Sequence, residues 1–416
     1  MTNRALLMAV LSAGTVRVEG VLFSDDSRHF LACLVALGFT VEIEEEKKCV
    51  TVTGCGGRIP RGEAVIDVGS AGTAARFLAA MLGFSDGCYE IRCSAQMKRR
   101  PMAELFDLLS GAGAKITFLE EEGHLPVRIT GCRYARADKT AGETPRELSL
   151  DITKSTQFLS ALLLIAPMVP EGMKIHITSE KTDGSYIRIT RKMMQEFGVS
   201  VAFDGRDYEV PCRSSYQKET YMVEPDMSAA CYFYAAAAVT GGRALVRHVH
   251  MDNTQGDLRF LEVLEHMGCT ADDTPEGILV TGPADGALRG ITVNMNDFSD
   301  QALTLAAIAP FADAPVRIEG IGHIRGQECD RIHAIQTNLT ALGIRCEEEE
   351  TAATIYPGSP HGGSVETYDD HRVAMAFSLV GLRTDGIVIE NPACCRKTFE
   401  NYFTVLSELT GKTVES

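Results

Sequence analysis

Six times along the chain a polar cluster runs into a small-residue, Leu-rich stretch of helical length, at 3–11, 70–82, 155–166, 228–239, 299–311 and 369–382. The starts lie about 67, 85, 73, 71 and 70 residues apart, a period long enough for a whole supersecondary unit. Between them lies a second set of amphipathic stretches ending near Gly, at 27–38, 100–113, 186–198, 256–268, 330–343 and 397–411. Gly at these ends suits a left-handed residue closing a helix.

Strand-like alternation follows the second set, as in Phe39-Thr-Val-Glu-Ile-Glu, Ala114-Lys-Ile-Thr-Phe, Val199-Ser-Val-Ala-Phe and Ile344-Arg-Cys-Glu. The repeating unit is therefore strand, helix, strand, helix, strand, strand. Three such units make one domain of ordinary size, which predicts two domains, 1–222 and 223–416. The first helix set is apolar on all sides after its first turn and is expected to be buried, while the second set, rich in Glu, Lys and Arg, faces solvent.

Composition narrows the function. Of 416 residues, 45% are hydrophobic and 23% charged, the balance of a globular protein, and the formal charge is −16. That charge argues against a nucleic-acid or anionic-membrane partner, and the absence of Trp with 7% aromatics argues against base stacking. An anionic substrate must then be met by local basic residues. The longest apolar run, 158–169, is too short to span a membrane, and residues 1–11 are too short an apolar stretch for a signal peptide. The thirteen Cys contain no C-x-x-C pair and read as reduced, mostly buried thiols in a cytosol.

Chemistry is expected where the first-set helices begin, because unpaired N–H groups and the positive dipole end attract anions there. The sequence puts Gly69-Ser-Ala-Gly-Thr73, Lys154-Ser-Thr-Gln157, Asp297-Phe-Ser-Asp300 and Asp369-Asp-His-Arg372 at those places. Any one cluster could simply cap its helix. Four that carry Gln, His, Arg and acids together point to a site. Gly69–Thr73 lacks the Gly-Lys-Ser/Thr ending of a P-loop, and no G-x-G-x-x-G opens a helix there, so nucleotide kinases and NAD enzymes lose their main support.

The strings Thr2-Asn-Arg-Ala-Leu-Leu, Ser24-Asp-Asp-Ser-Arg-His, Gly69-Ser-Ala-Gly-Thr-Ala-Ala-Arg76, Met97-Lys-Arg-Arg-Pro-Met102, Ser155-Thr-Gln-Phe-Leu159, Arg325-Gly-Gln-Glu-Cys-Asp-Arg331, Tyr368-Asp-Asp-His-Arg372 and Lys397-Thr-Phe399 resemble, in order, those of the 5-enolpyruvylshikimate-3-phosphate synthase family. The resemblance implies a two-domain inside-out α/β fold of six βαβαββ repeats, three per domain, with the active site in the interdomain cleft. It implies transfer of the enolpyruvyl group of phosphoenolpyruvate to the 5-hydroxyl of shikimate 3-phosphate with release of phosphate, by addition and elimination in a cytosolic monomer, without cofactor or metal. Gly72, Arg100, Gln157, Arg331, Arg372 and Lys397 would hold phosphoenolpyruvate, whose carboxylate and phosphate suit Arg forks and a Lys point charge. Arg4, Ser155, Thr156, Gln157, Tyr186, Asp300 and Gln327 would hold shikimate 3-phosphate. Asp300 would act at the acceptor hydroxyl and Glu328 at the methylene carbon.

The chain departs from the family pattern in places. A Gly-Ser-Lys-Ser stretch and an opening strand are expected before Asn3-Arg4 and have no counterpart here, so Met1 is expected to be an internal codon whose upstream sequence encodes them. Asp183 stands where the family usually has Ser, Gln327 where it has Lys, and His323 where Asn is common. A neutral Gln weakens a cationic site and an Asp repels a phosphate. Two other readings follow, a transferase with a different acceptor such as UDP-N-acetylglucosamine, and a silent homologue that binds ligand without turnover.

Overall fold

The structure is a computed structural model that describes residues 1–132 and 144–412. The chain forms two compact units, Met1–Glu224 and Pro225–Ser416, dividing two residues beyond the 222/223 boundary read from the sequence. Each unit has its own hydrophobic core.

In the first unit the core is built on the helices Thr2–Leu11, Gly72–Gly83 and Thr156–Ile165. Ala, Leu and Met favour helix, and with no polar face these segments lose water most completely when surrounded. Every residue of Thr2–Leu11 is buried. Three four-stranded sheets carry the remaining strands of the unit. In the sheet nearest the start, Val16 and Val18 of Thr15–Glu19 are buried while alternate residues are more exposed, the period-two signature of a strand with one covered face. That strand pairs antiparallel with Cys49–Thr53 and parallel with Thr220–Met222, Arg17 opposite Thr220. The last strand of the unit thus returns to complete its first sheet.

The second unit repeats the scheme with Met227–Thr240, a 3-10 turn Ser299–Gln301 leading into Ala302–Ile308, and His371–Ser378 as its buried helices. Two of its sheets depart from six identical repeats. Arg243–Arg247 pairs antiparallel with Gly277–Thr281 and has no parallel neighbour, so its other edge is open among the described residues. Among the described residues the last sheet has only Gly363–Val365 and Ile387–Ile389, paired parallel.

The second helix set appears as expected, each with one buried stripe, as in Asp25–Ala36 and Ser185–Glu196. Gly38, Gly113, Gly198, Gly268, Gly343 and Gly411 follow these six helices at φ of 92°, 99°, 90°, 105°, 83° and 66°, the left-handed region that a Cβ disfavours. Two strand expectations shrink, to Ala202–Phe203 and Cys346–Glu348. The expectation of mostly buried thiols is corrected. All thirteen Cys are free, but only Cys33, Cys49, Cys231, Cys269 and Cys395 are buried. Others, such as Cys88 at a strand end and Cys55 in a turn, sit where packing covers one side only. Among the described residues no helix is long and apolar enough to cross a membrane.

Candidate active site

In each unit the buried helices bring their N-termini together. In the second unit, Gln301 Nε2 donates to the Ser228 carbonyl at 3.5 Å, linking the turn before Ala302–Ile308 to the first turn of Met227–Thr240. Arg372, in the first turn of His371–Ser378, reaches Asp300 Oδ2 at 3.0 Å and the Tyr232 hydroxyl at 3.5 Å.

Arg331 is the centre of this cluster and is only 1% exposed. Its Nε donates to Asp370 Oδ2 at 2.8 Å, one terminal nitrogen to Asp300 Oδ1 at 3.0 Å, and the other to Glu328 Oε2 at 2.9 Å and Asp370 Oδ1 at 3.3 Å. Gln327 Oε1 accepts from the same guanidinium. Lys397 Nζ donates to Glu328 Oε1 at 2.6 Å. Burial disfavours the charge of Arg331, but Asp370, Glu328 and Asp300 outweigh it and hold its pKa above the ordinary value. Asp370 has no exposed surface; burial works against its ionisation, and Arg331 overcomes this and holds it below the usual carboxylate range. Its side chain also caps the last buried helix by accepting from Arg372 N at 2.9 Å. His371 beside it is pushed down to about 3, by burial first and then by Lys397 and Arg372, against the pull of Asp370. It is a neutral imidazole at any ordinary pH.

Three cations, Arg331, Arg372 and Lys397, thus face three carboxylates, Asp300, Glu328 and Asp370. Buried charges persist only when paired in this way. An incoming dianion would compete with Asp300 and Glu328, both partly accessible, for these cations. Asp370 is inaccessible and keeps Arg331 in place.

The first unit gathers a separate polar set. Asn3 Nδ2 donates to Thr73 Oγ1 at 2.8 Å, and Arg4 Nε to Thr190 Oγ1 at 2.9 Å. The Arg4 guanidinium lies over the rings of Phe77 and Tyr186, and burial lowers its pKa to about 10. Gly72 opens the Gly72–Gly83 helix beneath two arginines: a Cβ there would lie 2.6 Å from Arg100 Nη1 and 2.8 Å from Arg76 Nη1. Ser155 caps the next helix, accepting from Gln157 N at 3.2 Å, and Thr156 is its first residue. Gln157 Oε1 is buried without a hydrogen-bond partner, an acceptor suited to a ligand hydroxyl. Tyr186 is 37% exposed. Asp183, expected to repel a phosphate, accepts from Arg188 at 2.8 Å and from the Tyr208 hydroxyl at 3.1 Å, so its charge is already engaged.

The residues read from the sequence therefore fall into two local sets. Gly72 and Arg100 stack together, as do Arg4 and Tyr186, while Ser155, Thr156 and Gln157 share one helix start. Asp300, Gln327, Glu328, Arg331, Arg372 and Lys397 form one ion-paired network. Sequence reading missed Asp370, although it lies inside the quoted Tyr368–Arg372 string; its position before a buried helix was the available signal. It also missed Asp257, a buried acid bonded to Ser228, since the stretch 256–268 reads as a solvent-facing helix.

A family model described as EPSP synthase (3-phosphoshikimate 1-carboxyvinyltransferase) matches residues 1–406. A 3-phosphoshikimate 1-carboxyvinyltransferase of Trichormus variabilis is 40% identical over 413 residues, covering 99% of this chain and 94% of the relative. One from a Sulfurovum species is 39% identical over 415 residues, with the same two coverages. Among solved structures, an EPSP synthase of Acinetobacter baumannii superposes with a TM-score of 0.79 at 24% identity, over 100% of this chain and 94% of that one. The enolpyruvyl transferase NikO of Streptomyces tendae does so with a TM-score of 0.72 at 16% identity, over 98% and 92%. These two likenesses are in fold.

Proposed function

The chain belongs to the EPSP synthase family, and from that premise we propose how its residues carry the reaction. It is a 3-phosphoshikimate 1-carboxyvinyltransferase: the enolpyruvyl group of phosphoenolpyruvate passes to the 5-hydroxyl of shikimate 3-phosphate, and phosphate leaves. The observation that supports the assignment of residues is the network in which Arg331 and Lys397 share Glu328 while Arg331 and Arg372 share Asp300.

Arg331, Arg372 and Lys397 take the carboxylate and phosphate of phosphoenolpyruvate, with Arg100 over Gly72 and the unpartnered Gln157 oxygen supplying further polar contacts. As the ligand anions replace Asp300 and Glu328 on these cations, the two carboxylates lose the charges that keep them ionised, so both gain proton affinity. Asp300 then takes the proton of the attacking hydroxyl. Glu328, protonated, delivers its proton to the methylene carbon and recovers one from the resulting methyl group as phosphate is expelled, and the proton held by Asp300 leaves with the phosphate. Arg4, Ser155, Thr156, Gln157, Tyr186 and Gln327 hold the acceptor; because Asp183 is engaged by Arg188, it adds little repulsion against the acceptor phosphate. The enzyme acts as a monomer in the cytosol, where its thirteen free thiols stay reduced.

The test is phosphate release from phosphoenolpyruvate with shikimate 3-phosphate, and with UDP-N-acetylglucosamine in its place. Release with the first acceptor alone is expected. Asp300→Asn and Glu328→Gln should each slow turnover by about 100-fold or more while melting near the parent temperature. Near-parent turnover in either variant would remove that residue from the mechanism.

A further inference from the structure

The 3-10 turn Gly256–Arg259 carries Asp257, a carboxyl only 6% exposed whose ionised form is favoured by Arg372. Asp257 Oδ2 accepts from the Ser228 hydroxyl, and its backbone oxygen lies 3.6 Å from Cys231 Sγ. Ser228 N donates in turn to Asp226 Oδ1 at 3.0 Å, and the Ser228 carbonyl accepts from Gln301, the neighbour of Asp300 in sequence. The charged groups that act on Asp257 are Asp300 and Asp226, which oppose its ionisation, and Arg372, which favours it. A buried acid with one hydroxyl donor is costly to the fold, and a neutral residue of the same shape would keep the hydrogen bond without that cost. Such groups concentrate where an electrostatic setting is put to use.

We propose that Asp257 is a positioning residue for the reaction, a second buried carboxylate whose negative charge strengthens Asp300 as the acceptor of the hydroxyl proton. This rests on the reading of Asp300 given above. In the addition step the acceptor oxygen bonds to the substituted enol carbon and its proton passes to Asp300, while the C=C pair takes a proton from Glu328. Asp257 exchanges no proton with substrate. Protonating Asp300 relieves the repulsion between two neighbouring carboxylates, so an ionised Asp257 favours that transfer. Burial first, and Asp300 second, push Asp257 up to about 6, which puts the loss of its charge on the acid side of neutrality.

The experiment is kcat for phosphate release from about pH 5 to 8, with melting temperatures, for the full chain and for Asp257→Asn, Ser228→Ala and Asp300→Asn. The substrate phosphates also titrate near pH 6 but are common to every variant. Asp257→Asn should lose about three- to tenfold in kcat at neutral pH, lose the enzyme's own acid limb near pH 6, and melt no lower than the parent because a buried charge is gone. Ser228→Ala removes the donor that steadies the anion and should move the limb to higher pH. A parent-like profile in Asp257→Asn, or an unmoved limb in Ser228→Ala where Asp257→Asn fails to fold, overturns the proposal. Parent-like turnover in Asp300→Asn overturns instead the reading beneath it.

Discussion

Arg331 and Asp370 hold each other in a setting that neither could occupy alone, since removing one partner leaves an uncompensated buried charge. Their neighbour His371 gives that setting a pH dependence. Its folded pKa of about 3 lies below the unfolded value of 6.5, so its contribution to stability is present above pH 6.5 and drains away as pH falls toward 3, with roughly 5 kcal/mol as the upper limit. Asp370, also depressed, loses its contribution as pH falls through the carboxylate range. Asp257 has the opposite sign: raised from 3.8 to about 6, it weakens the fold above pH 6 and the loss is recovered on acidification. These effects oppose one another until pH has fallen through 3.8, the unfolded value of Asp257, below which only the losses continue. Thermal melts across pH should therefore fall most steeply below about pH 4, and His371→Asn should flatten that descent. An acid limb of equal slope in the variant would show that His371 does not govern it.

At the scale of the element, the six Gly residues at positive φ and the six apolar helices were readable because both signals are local: a left-handed residue closes the turn beside it, and an all-apolar helix must be surrounded. The helix starts were readable as capped N-termini, and Ser155 and Asp370 do cap theirs. The side chains lying across a start were not. Gly72 opens its helix under the ends of Arg100 and Arg76, two flexible side chains that can give way to a methyl group. Gly72→Ala should accordingly fold with little change in melting temperature yet displace Arg100, raising the KM for phosphoenolpyruvate about tenfold, the equivalent of one lost charge-assisted hydrogen bond. Steady-state kinetics with phosphoenolpyruvate varied would check this, and an unchanged KM would mean that Arg100 makes no contact the substrate needs.

On the scale of the whole molecule, two separate cores predict two cooperative blocks. Hydrogen exchange in moderate denaturant should show amide protection lost in two groups dividing at Glu224 and Pro225. Simultaneous loss across that boundary would mean that the units unfold as one. The repeat, the period and the order of helices and strands were set by the sequence, because each rests on residues a few positions apart and on which faces are apolar. Its motifs also carried the family and the residue types of the site. The tertiary structure alone decided that Thr220–Met222 returns to pair with Thr15–Glu19, that Asp370 rather than Asp369 is the buried partner of Arg331, and that Asp257 lies beneath Ser228. Strand order and the burial of one polar side chain over its neighbour are settled by packing between distant segments, where excluded water and paired charges decide, and no local pattern records them.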